Sequence, residues 1–282
     1  ILQAFDGTNN LDGLIGGTLD ATKDVVVTSG STTGTNGAGR GHDFGIDQLV
    51  GTEKAGEEFI FIRGESPEDY YEIENVILIP LTSSTTYEIN GGTPQPISGD
   101  YIVIEGDKFS GEGNMYVKTS APVMAFQGIG GVSDSGNPEP NQGMFVVPPL
   151  SCAAKGDINN IPYINRIGLT EQQGGLGIVA EKGKEVTLNG VPLTNGQPVE
   201  GNTNYVTYRI SSLTDDLYHV SSLGELYVSY YTYSGAATSG AFYSGFQSPP
   251  EFTFDLDLVA LGTCLQNNLT LNATNTNTLD SF

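Results

Sequence analysis

The side chains able to do chemistry in this chain are few and scattered. His42 lies in "GRGHDFGIDQLVG" (39–51), beside Asp43 and Asp47 and among four glycines. A histidine between acids raises two chemistries, a hydrolytic base or a metal ligand. Base catalysis needs a hydrogen-bonded nucleophile and an orienting acid in defined places. The chain has no nucleophile elbow, no His-Glu-x-x-His segment and no phosphate-cradling glycine loop. One histidine without further ligands at fixed spacing is a weak zinc site. The simpler reading is a turn over "GHDFGIDQ", with Asp43 and Asp47 accepting hydrogen bonds from nearby backbone amides.

Calcium suits acidic loops better, because it is a hard ion that takes oxygens from carboxylates, amides and backbone carbonyls. "DGTNNLDG" (6–13) offers Asp6, Asn9, Asn10 and Asp12, and Asp43 with Asp47 and the carbonyls of the glycine loop offers a second set. Neither has the EF-hand's spacing, and both are also ordinary turn chemistry, so calcium and plain turns stay open. No other cofactor is called for. Glycoside hydrolysis would need two carboxyl groups facing one sugar. With 33 acids, neighbours such as Glu57 and Glu58 or Asp215 and Asp216 arise by composition, and in a strand they point to opposite faces. The chain also lacks tryptophan for a sugar platform, so the reading is non-enzymatic.

Binding has a stronger candidate. In "ELYVSYYTYSG" (225–235), Tyr227, Ser229, Tyr231 and Tyr233 share one strand face while Val228, Tyr230 and Thr232 share the other. The tyrosine face is either a platform for a ligand or a cross-strand aromatic ladder over a core. "GAATSGAFYSGF" (235–246) supplies small residues for close approach, then Phe242, Tyr243 and Phe246 as anchors, where one module packs on another. Cys152 and Cys264 are too few for a disulfide scaffold or a four-thiolate metal site. They bridge each other, worth up to about 4–5 kcal/mol through loop closure, or stay unbridged, or Cys264 pairs beyond Phe282.

These residues must be positioned by strands. Thirty-eight glycines, 14 prolines, 14 tyrosines and 12 phenylalanines suit short strands and tight turns. A net charge of −22 repels phosphate backbones and anionic lipid headgroups, which excludes nucleic acid as a partner. No apolar run approaches the roughly 20 residues of a bilayer-spanning helix. The longest is "VILIPL" (76–81), read as a buried strand. "DVVVTSG" (24–30), "EEFIFIRG", "DYIVIEG" and "NMYVKTSAPVMAFQG" read as further strands, and "TTYEINGG" ends in an Asn-Gly hairpin signal.

A second series echoes the first. Asn90 matches Asn189, Tyr101 matches Tyr205 and Tyr116 matches Tyr218, giving a repeat of about 100 residues, the size of one β-sandwich. The expected fold is all-β, with tandem β-sandwich modules over 1–150 and 151–252. Residues 253–282 are expected to begin an Ig-like module or linker.

"GRGHDFGIDQLVG", "EEFIFIRG", "GNMYVKTSAPVMAFQGIGG", "MFVVPPLSC", "NNIPYI", "VTLNGVPL", "YVSYYTYSGAATSGAFYSGF" and "PPEF" resemble, in the same order, segments of a domain related to the N-terminal domain of IgGFc-binding proteins. That domain occurs in large type IX secreted surface proteins of Bacteroidota, including gliding adhesins of the SprB kind. The resemblance spans about residues 6–252. It implies an exported, cell-surface part of a longer adhesin, concerned with surface attachment or gliding and followed by immunoglobulin-like repeats. The implied partners are an extracellular surface, glycan or protein, neighbouring modules of the same chain, and the outer-membrane secretion machinery. A stalk or filament subunit and a carbohydrate-binding or carbohydrate-active module are the alternatives. The expected contact regions are the loops near 31–47 and 131–143 and the strand 226–233.

Overall fold

The computed structural model describes residues 17–34, 43–64, 74–129, 131–132, 138–139, 144–151, 154–162, 164–167, 169–211, 213–234, 237–242, 244, 251–261 and 264–274. Within them the protein is all-β, with helix limited to two 3-10 turns at Thr52–Lys54 and Gly106–Lys108. A first hairpin joins β1 (Val27–Gly34) to β2 (Asp43–Leu49). The first large sheet contains β3 (Gly56–Ile62), β4 (Asn75–Pro80), β5 (Thr86–Ile89), β6 (Gln95–Pro96), β7 (Ile102–Glu105) and β8 (Asn114–Gly128). After a small ladder of β9 (Gly131–Val132) and β10 (Pro138–Glu139), β11 (Met144–Val147) returns to the sheet.

The second half begins with β12 (Lys155–Pro162) and a ladder of β13 (Arg166–Ile167) and β14 (Thr170–Glu171). It continues through β15 (Gln173–Glu181), β16 (Val186–Leu188), β17 (Val191–Pro192), β18 (Gln197–Pro198), β19 (Tyr205–Ser211), β20 (Leu217–Ser234) and β21 (Ala237–Phe242). A separate hairpin follows, β22 (Glu251–Leu261) with β23 (Cys264–Thr274).

Each large sheet curls around one long strand. The first part of β8 pairs with β3 and β5, and its second part with β4 and β11. In the second sheet β20 pairs first with β12 and β16, then with β15 and β21. Alternation then fills two cores. Phe59, Phe61, Val76, Leu78, Met115 and Val117 face inward in the first half, and Ile161, Leu176, Ile178, Val220, Leu226 and Val228 in the second.

Two Asn-Gly turns occupy matching places. Asn90 (φ 51°) precedes Gly91 (φ 73°), and Asn189 (φ 49°) precedes Gly190 (φ 76°), so both central residues lie in the left-handed region that a primed hairpin turn requires. Asn90 N–H donates to the Tyr116 carbonyl at 2.8 Å, and its side-chain oxygen accepts the Tyr116 N–H at 2.9 Å. Asn189 does the same to His219, at 2.8 Å in both bonds. The residue facing Asn189 as Tyr116 faces Asn90 is therefore His219, one position beyond Tyr218.

The halves meet through a third cluster, of Ile60, Tyr116, Ala154, Val179, Val199 and Tyr227. Asn114 Nδ2 donates across the junction to Thr207 Oγ1 at 2.8 Å and to the Pro198 carbonyl at 3.0 Å, and the Arg209 guanidinium donates to the Gly64 carbonyl. The rings of Phe145 and Phe242 lie 5.8 Å apart, tilted by 60°. Gly201, at φ 82°, sits so close to the Asn90–Gly91 turn that a Cβ on it would lie 2.4 Å from the Gly91 nitrogen.

Three expectations change. The early strand starts at Val27, beyond the exposed Val25 and Val26, and extends to Gly34 because it pairs with β2. "GHDFGIDQ" is for the most part strand from Asp43 onward, since the ladder to β1 satisfies its backbone. "VILIPL" is not a run buried on both faces, because Val76 and Leu78 enter the core while Ile77 and Ile79 remain partly exposed on the other face.

The turn geometry separates two substitutions. Gly190 has positive φ with nothing within 4 Å of an added Cβ, so Gly190→Ala carries backbone strain alone, about 1–3 kcal/mol. Gly201→Ala adds a backbone clash and should cost about 1–3 kcal/mol more. Thermal denaturation of both variants checks this, with Gly201→Ala melting lower by several degrees.

Candidate binding groove at the junction

The junction opens to solvent as a shallow groove with two lobes of about 370 and 320 Å³. Tyr205 and Glu225 form the wall common to both. Glu181, Lys182, Thr203 and Asn204 complete one lobe, and Glu57, Glu58, Leu150 and Ser151 the other. β3 supplies Glu57 and Glu58, β19 and β20 supply Tyr205 and Glu225, and the segment entering β12 supplies Ser151.

Tyrosine hydroxyls link the apolar junction to these carboxylates. Tyr116 donates to Glu58 Oε2 at 2.7 Å, and Lys118 Nζ lies 3.4 Å from Glu58 Oε1. Tyr205 donates to Glu225 Oε2 at 2.5 Å. The Tyr227 hydroxyl oxygen accepts the Ser151 N–H, and its proton is within reach of the Ser151 carbonyl at 3.0 Å and Glu225 Oε2 at 3.1 Å. Glu181 Oε2 in turn accepts the Glu225 N–H at 3.4 Å. Burial, reinforced by the bond to Glu58 and its charge, pushes the Tyr116 hydroxyl well above the usual phenol range. Burial and the Glu225 charge do the same to Tyr227 against the opposing Ser151 N–H. Among the described residues the groove is thus walled by carboxylates, phenol hydroxyls, amides and the Lys182 ammonium, groups suited to charge and hydrogen-bond contacts.

The residues singled out by sequence fall elsewhere or inside. Tyr227 and Tyr231 are interior, 2% and 6% exposed, so neither ring can face a ligand. The platform reading fails for them because β20 is covered on both sides. Tyr227 joins the junction cluster, Tyr231 joins the first core, and Leu226 and Val228 fill the second. Tyr233 is partly exposed and donates to Gln173 Oε1 at 2.9 Å. Asp47 docks the first hairpin, accepting the Gln48 N–H at 2.7 Å and the Val146 N–H at 3.1 Å. Burial raises its pKa, against the lowering effect of those two bonds. Asp43 opens β2 and Cys264 opens β23. Asp6, Asn9, Asn10, Asp12, His42 and Cys152 lie outside the described residues. Among the described residues no group of three or more His, Cys, Asp or Glu side chains could hold a metal ion, and no helix is long and apolar enough to cross a membrane.

Sequence reasoning passed over Glu58, Tyr205 and Glu225. The only available signal was Glu57–Glu58, which composition alone explains, because the other walls come from far along the chain.

The buried phenols set an alkaline limit. A hydroxyl whose folded pKa exceeds its unfolded value of about 10 stabilises the fold fully below that pH, and the stability drains away as pH rises further. Unfolding free energy should therefore fall steeply above about pH 10. Tyr227→Phe should flatten that fall while costing about 1–3 kcal/mol at neutral pH, since Ser151 and Glu225 lose a partner. Denaturant titrations across this range read both effects.

No curated protein sequence matches the chain. Among solved structures it is similar to an apo Pleurotus ostreatus lectin, with 8% identity, TM-score 0.18, and coverage of 87% of this chain and 84% of that one. It is also similar to an anti-sigma factor domain-containing protein, with 10% identity, TM-score 0.14, and coverage of 73% and 86%. Neither score carries a common fold or function. The model of the family described as IgGFc binding protein matches residues 2–232, which include both curled sheets through most of β20, and the chain belongs to that family.

Proposed function

We propose that this chain is a non-enzymatic, extracellular protein-binding module of a large cell-surface adhesin, with the junction groove as its recognition surface. The family match across both halves carries this reading, since domains of the family are typically extracellular and its description is one of binding. The finer context is a type IX secreted gliding or attachment protein of Bacteroidota, supported by the eight segments that occur in order along the sequence.

The two halves are tandem β-sandwich modules from a duplicated unit of about 100 residues. Support comes from the shared pairing order around β8 and β20 and from the equivalent bonds of Asn90 and Asn189. Joining two units in this way extends an acidic hollow of the second half, between Glu181 and Glu225, across to Glu57 and Glu58 of the first. A protein segment or glycan offering cationic or hydroxyl groups suits that hollow.

The test immobilises the chain and passes over it an immunoglobulin G Fc fragment, mucin-type glycoproteins and a glycan array, with and without calcium. Reversible binding that weakens at least about tenfold in a Glu58→Gln, Glu225→Gln double variant, without turnover, is expected. Binding indifferent to those substitutions, or chemical conversion of the ligand, would sink the proposal. A calcium-dependent rise in melting temperature would favour the acidic-loop ion sites through binding linkage, and an unchanged one would count against them.

A further inference from the structure

An asparagine followed by glycine is chemically labile, because the glycine nitrogen, with no Cβ beside it to shield it, is open to the asparagine side chain. The chain has four such pairs, and three lie among the described residues, at Asn90–Gly91, Asn189–Gly190 and Asn195–Gly196. All three asparagines occupy the left-handed region, with φ of 51°, 49° and 64°. As dipeptides they are equivalent. The structure makes them unequal.

Two are tied to a neighbouring long strand. Asn90 Oδ1 accepts the Tyr116 N–H at 2.9 Å, and Nδ2 donates to the Lys108 carbonyl at 3.1 Å. Asn90 is also half-buried, with the Gly201 backbone set against the Gly91 nitrogen. Asn189 is exposed but held as firmly. Its Oδ1 accepts the His219 N–H at 2.8 Å, and its Nδ2 donates to Asp215 Oδ2 at 3.2 Å and reaches the Leu217 carbonyl at 3.5 Å. Turning either amide onto the following nitrogen breaks these bonds first.

Asn195 is not held in this way. It lies exposed between β17 and β18, its backbone carbonyl accepts Gln197 Nε2 at 2.9 Å, and its side-chain amide has no hydrogen bond among the described residues. The glycine that follows is the positioned partner. Gly196 is half-buried against the Tyr208 ring, where an added Cβ would lie 2.9 Å from Cζ. An unrestrained amide beside a positioned nitrogen samples the reactive geometry more often than one bonded elsewhere.

We infer that Asn195 is, of these three, the site of spontaneous deamidation through a cyclic imide. The Gly196 nitrogen gives its proton to solvent hydroxide and attacks Asn195 Cγ. A bond from that nitrogen to Cγ forms, the bond from Cγ to Nδ2 breaks, and Nδ2 takes up a proton and leaves as ammonia. Water then adds to one of the two imide carbonyls, and ring opening gives aspartate or isoaspartate. The net change is one water consumed and one ammonia released, with no oxidation or reduction. The position gives the change a consequence. β18 follows at once, and its Pro198 carbonyl accepts Asn114 Nδ2 across the junction. Either product adds a negative charge ahead of that strand, and isoaspartate also lengthens the main chain by a methylene. The inference stands apart from the groove and its ligand.

Peptide mapping by chromatography and mass spectrometry tests it, following the three sites in the full 282-residue chain during storage in mildly alkaline buffer, with a parallel sample in denaturant. In the native chain Asn195 should convert at least about tenfold faster than Asn90 or Asn189, since each of those must first lose two or more hydrogen bonds. In denaturant, where the bonds are gone, the three rates should converge. Equal rates in the native chain overturn the inference, as does faster conversion at Asn90 or Asn189. So does a native order that persists unchanged in denaturant, because sequence and not structure would then set it.

Discussion

The structure depends on β20 being buried on both faces. Leu226 and Val228 fill the core of the second half, while Tyr227 and Tyr231, on the opposite side, are anchored against the first. A strand in that position tolerates no charge between Leu226 and Thr232, and it carries none. Its neighbour β15 is buried from Gly174 to Ala180 for the same reason, with Gly175 leaving room for the Tyr231 side chain of the adjacent strand and Gly177 letting Ile62 of the first half approach. The connecting chain is bound to both sides, with Leu150 N–H donating to the Glu58 carbonyl and Leu226 N–H to the Ala154 carbonyl. Leu150 and Ala154 are thus part of the junction.

The groove is a consequence of that contact. Where two twisted sheets diverge from a shared apolar strip, their edges must return to water through groups that are apolar at one end and polar at the other. Tyr116, Tyr205 and Tyr227 have that character, with their hydroxyls meeting Glu58 and Glu225 at the rim. The groove walls and the stability of the junction consequently share residues, so a ligand bound as proposed would also touch what holds the halves together.

Much of the architecture was legible in the sequence because it is local. Period-two alternation marks the strands, and Asn90–Gly91 and Asn189–Gly190 mark two hairpin turns whose left-handed geometry the structure shows. The face parity of "ELYVSYYTYSG" was legible too, whereas its environment was not. Alternation tells which side chains share a face and says nothing of what covers it, so tyrosines readable as a platform are anchors. The same limit applies to "VILIPL", whose second face looks outward. The glycine-rich 39–51 segment reads as a turn because its partner strand β1 is itself unusually polar and glycine-bearing. The groove was illegible because its walls come from β3, β19, β20 and the connecting segment, and no local pattern joins them.

The two halves fold as one unit, because their shared strip of Ile60, Tyr116, Val179 and Tyr227 is as buried as either half's own core. Differential scanning calorimetry of the whole chain tests it most directly. A single folded unit requires the two large sheets to unfold in one transition, with calorimetric and van't Hoff enthalpies in agreement. Two separated transitions, one half melting while the other keeps its full unfolding enthalpy, would contradict it.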